Sequence, residues 1–393
     1  MNYKKYELRE LIKIKNGKDY RNEKKGLIPV YGTGGIVDYI DKHIYNGESI
    51  LLPRKGSLNN IEYIDGKFWT IDTMYWTKIN KNIVYGKFLF LYLSLLNITK
   101  RNTGSTLPSM TFETYYSLKI PLPEYEKQKK IADFIFMILD KIKNNSQINN
   151  NLEELMKTLY QRWFVEFNFP NEEGKPYKAS GGKMVWNEEL KQEIPEGWSQ
   201  TKVKTICDVI SGYPFNKESY DSNGKYKLIT IKNVQDEGVN LNTDNCINDI
   251  PENMPDYCLL KPLNILMSLT GNVGRVGIMY SNDCLLNQRV AILKEKNKKQ
   301  IPFIYSLFKN EYVRKKLENI STGTSQLNLS PIETEKFKIA YNEYIINNFS
   351  KITFPYLKKI EQNLEENKWL TELRDFLLPM LMNGQINVDD VEI

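Results

Sequence analysis

Residues 118–164 of this chain read LKIPLPEYEKQKKIADFIFMILDKIKNNSQINNNLEELMKTLYQRWF, and residues 337–382 read FKIAYNEYIINNFSKITFPYLKKIEQNLEENKWLTELRDFLLPMLM. Each stretch begins as a short apolar strand, passes a Glu-Tyr pair and then carries apolar residues mostly three or four positions apart. That spacing predicts an amphipathic helix. At about 1.5 Å per residue, around 40 residues make a helix of roughly 60 Å. Asn145 and Asn149 interrupt the apolar face of the first helix.

The two stretches end two copies of one longer pattern. Apolar strand positions, turn glycines and a hydroxyl-rich loop recur in the same order at a spacing of roughly 195–220 residues, which indicates an internal duplication. The matching segments are 8–20 with 203–215, 50–56 with 265–271, and 103–106 with 322–325. A duplicated chain with two long helices predicts a pseudo-two-fold molecule that binds a two-part target.

These patterns divide the chain into six segments and predict a mixed α/β fold for both globular copies. The segments are a first globular copy at 1–125, a first helix at 126–165, a polar connector at 166–197, a second globular copy at 198–343, a second helix at 344–384 and a tail at 385–393. Pro355 is expected to kink the second helix or to mark its effective start, and Pro379 to disturb its last turn before a stop at Gly384. We interpret the two helices as an antiparallel pair; the alternative is that each packs on its own copy.

Composition limits the class of protein. The 393 residues suffice for two or three domains, and a net charge of +6 permits nucleic-acid binding without requiring it. The four cysteines lie in the second copy without a Cys-x-x-Cys pair, which argues against a zinc site or a disulfide framework. No secretory signal follows Met1 and no run of about 18 apolar residues occurs, so we expect a cytoplasmic protein.

No catalytic set of residues is visible in the sequence. His43 is the only histidine, which excludes histidine-based triads and multi-histidine metal sites. No Gly-x-x-x-x-Gly-Lys-Ser/Thr loop is present, and the glycine-rich segments 33–35 and 271–277 lack the strand–turn–helix context of a dinucleotide site. The sequence therefore predicts a non-catalytic binding protein that holds no metal or cofactor of its own.

In the first copy, the candidate binding residues centre on the turn after the apolar strand at 50–53. Arg54, Lys55 and Ser57 flank a glycine there, and cations on such a turn can approach a phosphate, while arginine can also form paired hydrogen bonds with guanine. The alternative is an ordinary solvated turn. Tyr31 stands beside a flexible Gly-Thr-Gly-Gly segment and can stack or hydrogen-bond at DNA, or simply belong to a tight turn. Thr73 is a further candidate in this copy.

In the second copy, matching positions carry different side chains. The turn at 269–272 keeps the glycine but replaces the cations, and the segment 287–289 offers side chains suited to base edges. Such divergence on a shared scaffold suits two domains that read different sequences. The candidate contacts of this copy are Lys232, Thr270, Asn272, Arg275, Gln288 and Arg289.

Two hydroxyl-rich loops complete the candidate contacts. Ser105 and Thr106 lie in the first loop, and Thr324 and Ser325 lie in the second. Hydroxyls and loop N–H groups commonly hold phosphates. Capping of the helices that follow is the alternative explanation.

Several short motifs occur in order along the whole chain. They are YGTGGI at 31–36, TGSTLP at 103–108, IPLP at 120–123 with QKKIA at 128–132, IPEGW at 194–198 and LLPMLMNG at 377–384. With these motifs the chain resembles the DNA-specificity subunit of type I restriction–modification systems. The resemblance implies two pseudo-symmetric α/β target-recognition domains separated by a long antiparallel two-helix coiled coil. Each domain would read half of a split double-stranded DNA sequence, and the coiled-coil length would set the gap between the halves.

The resemblance also implies which partners supply the catalysis. Two methyltransferase subunits and two restriction/translocase subunits would assemble with the chain, and S-adenosylmethionine, ATP and Mg²⁺ would be bound by those subunits. Two alternatives stay open. One is the specificity subunit of a related system whose partner fuses methyltransferase and nuclease in one chain, and the other is a coiled-coil adaptor that does not bind DNA.

Overall fold

The computed structural model describes residues 3–96, 109–323 and 326–390. The chain forms two compact units, one made of residues 1–142 and 369–393 and the other of residues 143–368. Each unit holds one globular copy of the repeat together with parts of both long helices, whereas the sequence pattern predicted each helix as a separate segment. No helix in the described ranges is long and apolar enough to cross a membrane.

The first unit has eight strands in its described residues, and six of them form one sheet. Its strands are β1 Lys4–Glu7, β2 Ile12–Lys15, β3 Lys25–Gly32, β4 Gly35–Ile40, β5 Tyr45–Pro53, β6 Glu62–Thr70, β7 Met74–Ile79 and β8 Lys119–Leu122. Its helices are α1 Leu8–Leu11, α2 Gly86–Leu95, α3 Phe112–Tyr116 and the first half of α4 Tyr125–Tyr160. The sheet has the order β2-β7-β5-β6-β3-β4, and β1 and β8 form a separate antiparallel pair. The apolar end of β5 is fully buried, as expected for an internal strand.

The core of the first unit joins the globular copy to both long helices. Phe88 of α2 is fully buried there, as the continuous apolar run at 88–96 predicts. Ile131 and Ile135 of α4 pack in the same core with Leu381 of the second long helix. Burying a side chain of this size stabilises a fold by roughly 1.5–3 kcal/mol. Core packing therefore holds these helix segments on the globular copy.

The second unit has the same plan with shorter strands. Its strands are β9 Met184–Asn187, β10 Gln192–Pro195, β11 Ser199–Lys202, β12 Cys207–Ser211, β13 Tyr226–Ile229, β14 Val234–Gln235, β15 Gly238–Val239, β16 Cys246–Ile247, β17 Ile265–Ser268, β18 Val276–Ile278, β19 Cys284–Leu286, β20 Val290–Glu295 and β21 Lys338–Tyr341. Its helices are α5 Ile301–Lys309, α6 Glu311–Ile320, α7 Pro331–Lys336 and most of α8 Glu343–Asn383, together with the end of α4. The main sheets have the orders β12-β20-β17-β18 and β16-β13-β19.

Strand pairing confirms the internal repeat. The antiparallel pair β1-β8 of the first unit recurs as β11-β21 in the second. The antiparallel order β2-β7-β5 recurs as β12-β20-β17, and the parallel pair β3-β6 recurs as β13-β19. Gly17 and Gly212 also match, because a Cβ would lie 1.9 Å from a backbone oxygen at Gly17 and 2.3 Å at Gly212. The predicted mixed α/β fold in two copies is therefore confirmed.

The second long helix begins well before Pro355. Its first residue is Glu343, and Asn342 caps it, because Asn342 Oδ1 accepts a hydrogen bond from the N–H of Ile345 at 3.1 Å. Such a cap contributes about 1 kcal/mol. Phe349, in the second turn, is almost fully buried and holds this part of the helix in the core. The helix thus begins one residue before position 344, where the sequence places it, and of the two outcomes expected for Pro355, a kink or an effective start, the effective start is wrong.

The predicted end of this helix is confirmed. It continues through Pro379 to Asn383, and Gly384 follows with a φ of 76°. The N–H of Gln385 then donates to the carbonyl of Met380 at 2.9 Å. A left-handed glycine with this backward hydrogen bond is a common helix ending, because it satisfies a carbonyl of the last turn.

Within the second unit, α4 and α8 run antiparallel. Tyr160 at the end of α4 contacts Phe349 near the start of α8, with ring centroids 6.3 Å apart, whereas Asn149 earlier in α4 contacts Asn363 later in α8. Asn363 Nδ2 donates to Asn149 Oδ1 at 2.8 Å, and both residues are buried. Asn145 is also buried and donates to two side chains of α8, at 2.8 and 3.0 Å. The asparagines that interrupt the apolar face are thus hydrogen-bonded across the helix pair.

Candidate nucleic-acid interface

Three turns of the first unit meet at one end of its sheet. They are the β3–β4 turn, the loop after β5 and the β6–β7 turn. The side chain of Asn60 donates to the carbonyl of Thr33 at 2.8 Å, and the N–H of Arg54 donates to the carbonyl of Thr73 at 2.8 Å. A Cβ on Gly56 would lie 3.4 Å from Thr33 Oγ1. The sequence-predicted residues around positions 31, 54–57 and 73 therefore belong to one surface, and Asn60, which sequence reasoning missed, holds two of its turns together.

The side chains of Arg54 and Lys55 on this surface differ in how strongly their neighbours restrain them. The guanidinium of Arg54 lies 5.9 Å from the ring centre of Tyr75, and its Nη1 is 3.4 Å from the carbonyl of Asp72. Lys55 is exposed and makes no ion pair with any described residue, and Ser57 is exposed beside it. Lys55 can thus reach an anion freely, whereas Arg54 is held in place by its neighbours.

The remaining candidates of the first unit are less accessible. Tyr31 is half-buried at the end of β3, and burial raises the pKa of its phenol, with Glu62 adding to the effect. The phenol therefore stays protonated near neutral pH and can donate a hydrogen bond. Thr73 is half-buried, and its hydroxyl is buried without a hydrogen-bond partner.

The turns of the second unit make the same backbone hydrogen bonds as those of the first, and we call this shared pattern the backbone frame. The side chains on it differ between the two units. The N–H of Leu269 donates to the carbonyl of Arg289 at 3.0 Å, and the carbonyl of Leu269 accepts from the N–H of Leu329 at 2.8 Å. Arg54 makes the same two backbone hydrogen bonds, at 2.8 and 2.9 Å. The equivalent positions are Arg54 and Leu269, Lys55 and Thr270, Gly56 and Gly271, Ser57 and Asn272, and Thr73 and Arg289.

One surface pocket gathers four of the candidates of the second unit. It has a volume of about 450 Å³, and Lys232, Thr270, Asn272 and Arg275 all line it. Lys232 and Asn272 are exposed, whereas Thr270 is 8% exposed and presents little of its side chain. Segments that are about 40 residues apart in sequence thus contribute to one concave site.

Arg275 is engaged in an ion pair that the sequence did not reveal. Its Nη2 lies 2.9 Å from Asp236 Oδ2, and Arg314 Nη1 lies 2.5 Å from Asp236 Oδ1. Lys309 donates to the backbone carbonyl of Asp236 at 3.0 Å. Burial raises the pKa of Asp236, but the hydrogen bond and charge of Arg314, together with Arg275, outweigh it and lower the net pKa. Asp236 therefore stays ionised and offsets part of the positive charge of this pocket.

The other candidates fall in two groups. Gln288 and Arg289 are exposed on the turn before β20, which matches the turn that carries Thr73 in the first unit. The hydroxyl-rich loop candidates Ser105, Thr106, Thr324 and Ser325 lie outside the described residues. In the described ranges, no group of three or more His, Cys, Asp or Glu side chains is arranged to hold a metal ion.

Two equivalent surfaces of turns, each with exposed basic or amide side chains, define a duplicated recognition protein. The profile of one family, the type I restriction modification DNA specificity domain, matches residues 1–154 and 195–368 of the chain. The chain belongs to this family.

Individual relatives agree with this assignment. The specificity subunit of the type I restriction enzyme MjaIX from Methanocaldococcus jannaschii is 29% identical over 297 residues, which cover 73% of this chain and 65% of that protein. This chain thus spans just under two thirds of the length of that relative. The HindI specificity subunit from Haemophilus influenzae is 27% identical over 366 residues, which cover 78% of this chain and 79% of that protein. The crystal structure of the type I S subunit from M. genitalium shares the fold, with a TM-score of 0.66 and 17% identity over 97% of this chain and 96% of that chain.

Family membership decides several predictions made from the sequence. It confirms the resemblance to type I DNA-specificity subunits, and with it a role in DNA sequence specificity as a non-catalytic component. A coiled-coil adaptor without a DNA role does not fit this family. The DNA contacts of individual residues remain predictions.

Proposed function

We propose that each unit of this chain recognises one half of a split double-stranded DNA target, and that the two halves differ in sequence. The observation that carries the proposal is the shared backbone frame with unequal side chains. Arg54 and Lys55 of the first unit are replaced by Leu269 and Thr270 in the second. Since the frame places these positions alike, the side chains alone would give the two units different base preferences.

The physical logic of the proposal is multivalent binding. Lys55 and the other exposed cations would contact phosphates, which supplies affinity that falls as salt rises. A few side chains at base edges, among them Gln288 and Arg289, would supply sequence preference. Two modest interfaces on one chain then bind more tightly than either alone. In this proposal the lengths of the helices at 126–165 and 344–384 set the spacer between the half-sites.

The proposal assigns the chemical steps to other subunits. Two methyltransferase subunits would assemble with the chain for modification, and two restriction/translocase subunits would join for cleavage. S-adenosylmethionine, ATP and Mg²⁺ would be bound by those subunits. A single partner that fuses methyltransferase and nuclease is the alternative, and the polypeptides that co-purify with the chain distinguish the two.

The test is reconstitution with the methyltransferase subunit of the same system and S-adenosylmethionine, followed by mapping of methylated sites in a random-sequence library. We expect one bipartite sequence. The Arg54→Ala/Lys55→Ala variant should weaken recognition of one half, and the Gln288→Ala/Arg289→Ala variant should weaken the other. Lys119→Ala, an exposed cation on β8, is the control for removal of a charge. Random methylation by the unaltered chain, or identical changes in both halves for the two variants, would contradict the proposal.

A further inference from the structure

A pocket of about 890 Å³ lies in the second unit between α8 and two loops of the globular copy. The loops are 261–264, just ahead of β17, and 295–301, which leads from β20 into α5. A pocket of this volume can enclose several side chains of a bound segment. We call it the lysine-rimmed pocket, from its lining residues Lys261, Lys298, Lys299 and Lys351.

The rim of this pocket carries uncompensated positive charge. All four rim lysines are exposed, and none makes an ion pair with a described residue. Glu295 is the one acidic residue among the described lining residues. The local field therefore favours a negatively charged occupant.

The floor of the pocket is apolar. Leu263, Phe354 and Pro355 line it, and Phe354 is 39% exposed. Leu263 has a φ of 69°, a left-handed conformation that a non-glycine residue adopts only when its surroundings hold it there. An occupant with an apolar side chain would cover this floor, whereas a phosphate backbone would leave it exposed to water.

Two polar groups on the lining lack their usual hydrogen-bond partner within α8. Ser350 is 1% exposed, and its hydroxyl is buried without a hydrogen bond. Pro355 has no N–H, so the carbonyl of Lys351, four residues earlier, has no helical donor. The carbonyl of Lys351 can accept a hydrogen bond from an occupant that brings its own donors, as a polypeptide does.

The first unit fills the matching place with a carboxylate of its own. Ile50 of β5 matches Ile265 of β17, so Glu48 occupies the position of Leu263. Glu48 accepts a hydrogen bond from the hydroxyl of Tyr63 at 2.5 Å and pairs with Lys81 at 2.6 Å. The second unit has leucine at this position, an open pocket and four lysines around it. The second pocket therefore has space and positive charge for an external carboxylate beside its own Glu295.

The pocket lies away from the candidate DNA contacts of the same unit. Residues 261–264 precede β17, and the turn at 269–272 follows it, so the two sites lie at opposite ends of this strand. The same holds for β20, which Arg289 precedes and Glu295 ends. DNA bound at the turns would therefore leave the lysine-rimmed pocket open for a protein.

We propose that the lysine-rimmed pocket binds an acidic segment of the methyltransferase subunit. Carboxylates of that segment pair with the rim lysines, and one of its apolar side chains packs on Leu263 and Phe354. The choice of partner rests on the proposed function. The choice of chemistry rests on the charge, the apolar floor and the comparison with Glu48.

The first test reverses the charge of the rim. The full-length Lys298→Glu/Lys299→Glu variant and a control, Lys315→Glu/Lys316→Glu, are titrated with the methyltransferase subunit by calorimetry. The control changes the same charge on another exposed pair, on α6. We expect the pocket variant to bind roughly tenfold more weakly or worse, and the control to bind like the unaltered chain. Equal affinity of the two variants overturns the proposal, whereas no binding by the unaltered chain contradicts the proposed function itself.

The second test removes the apolar anchor. Phe354→Ala should weaken binding of the methyltransferase subunit, whereas Tyr312→Ala, an aromatic residue of α6 that is 61% exposed, should not. Both variants change exposed side chains, so we expect equal amide hydrogen exchange in the second unit of the two variants. If the pocket variants lose duplex DNA binding but keep full affinity for the methyltransferase subunit, the pocket is a DNA surface and the proposal is wrong.

Discussion

Replacing Asn149 with leucine should destabilise the second unit more than replacing its partner Asn363 with leucine, although each change removes the same hydrogen bond. Asn363 Nδ2 donates to Asn149 Oδ1 at 2.8 Å. Asn363 is fully buried, and its Oδ1 has no hydrogen-bond partner, whereas Asn149 is 7% exposed. The asymmetry of the pair gives the two substitutions different costs.

The expected magnitudes follow from what each substitution leaves behind. In the Asn149→Leu variant, the whole amide of Asn363 remains buried without a partner, which costs about 1–3 kcal/mol. The Asn363→Leu variant also removes an unpaired buried oxygen, and the remaining Asn149 keeps some contact with water, so we expect a cost below about 1 kcal/mol. The double leucine variant should be nearly neutral or stabilised, because replacing both partners by apolar groups of similar size leaves no buried group unpaired.

Amide hydrogen exchange of peptides that span residues 145–153, measured in the full-length chain, is the suitable assay. A chain with two compact units does not unfold in one step, so a single melting temperature would mix their stabilities. A tenfold faster exchange in the local-opening regime corresponds to about 1.4 kcal/mol. Asn144→Leu, at an exposed position of the same helix, controls for the change of side chain alone.

Either of two results would refute this expectation. One is equal exchange in the two single variants, because the buried, unpaired oxygen of Asn363 would then have no energetic effect. The other is a double variant that exchanges faster than both single variants, because the two leucines would then fail to pack where the amides lie. Either outcome would remove the basis for treating this pair as a selective contact between α4 and α8.

Three further predictions concern charge. The Arg54→Ala/Lys55→Ala variant should make the slope of log K against log salt for duplex binding less steep, by about 0.9 for each phosphate that these two side chains neutralise. Fluorescence anisotropy at several salt concentrations measures this slope. An unchanged slope would place this turn away from phosphates. Arg289→Ala should cost about 1–3 kcal/mol of discrimination at one base position of one half-site, as methylation mapping would show; unchanged base preference would contradict a base contact. Asp208→Asn should destabilise the chain near neutral pH but not in acid. Hydrogen bonds from Lys204 and Lys296 lower the pKa of the Asp208 carboxyl in the folded state below its ordinary value. The stabilisation is therefore present above the ordinary pKa and is lost as the pH falls through the lower folded pKa. Amide hydrogen exchange of peptides that span β12, measured at both pH values, tests this, and an equal effect at both would contradict it.

Sequence reasoning predicted the frame of the candidate interface because the frame depends on local signals. Short apolar strands and turn glycines occur in the same order in both copies, so Gly56 could be matched with Gly271 and the turn of Arg54 with that of Leu269. The backbone hydrogen bonds of the two units confirm those matches. What the match could not provide is the environment of each side chain, such as the buried hydroxyl of Thr73.

The missed features of the site are contacts between distant segments. Asp236, Arg275 and Arg314 come from three separate parts of the second copy and show no common spacing. Their ion pairs exist only because the fold brings a hairpin, a turn and a helix together. A basic residue in a candidate binding turn is therefore not necessarily a free cation, and Arg275 illustrates this.

Pro355 lies inside the second helix rather than at its effective start, and this has an energetic cause. A proline inside a helix costs about 3 kcal/mol, which makes it a reasonable sign of a helix start. Here the helix begins twelve residues earlier, and burial of Ile346, Phe349 and Leu357 on both sides of the proline contributes roughly 1.5–3 kcal/mol for each side chain. Together with the cap at Asn342, this burial exceeds the cost of the proline. Tertiary packing, which the local sequence does not report, decides the boundary.

The buried asparagines of α4 form hydrogen bonds with α8 that the sequence pattern did not reveal. In the sequence, Asn145 and Asn149 only interrupt an apolar face, but in the second unit both are hydrogen-bonded to α8. Sliding α8 along α4 by one turn in either direction would separate Asn149 from Asn363 and break this hydrogen bond. Each buried amide left without a partner would cost about 1–3 kcal/mol. An apolar pair at these positions would tolerate the slip far better. The polar pairs therefore disfavour other registers of the two helices, and the register holds α8 in place on the globular copy that carries the candidate DNA turns.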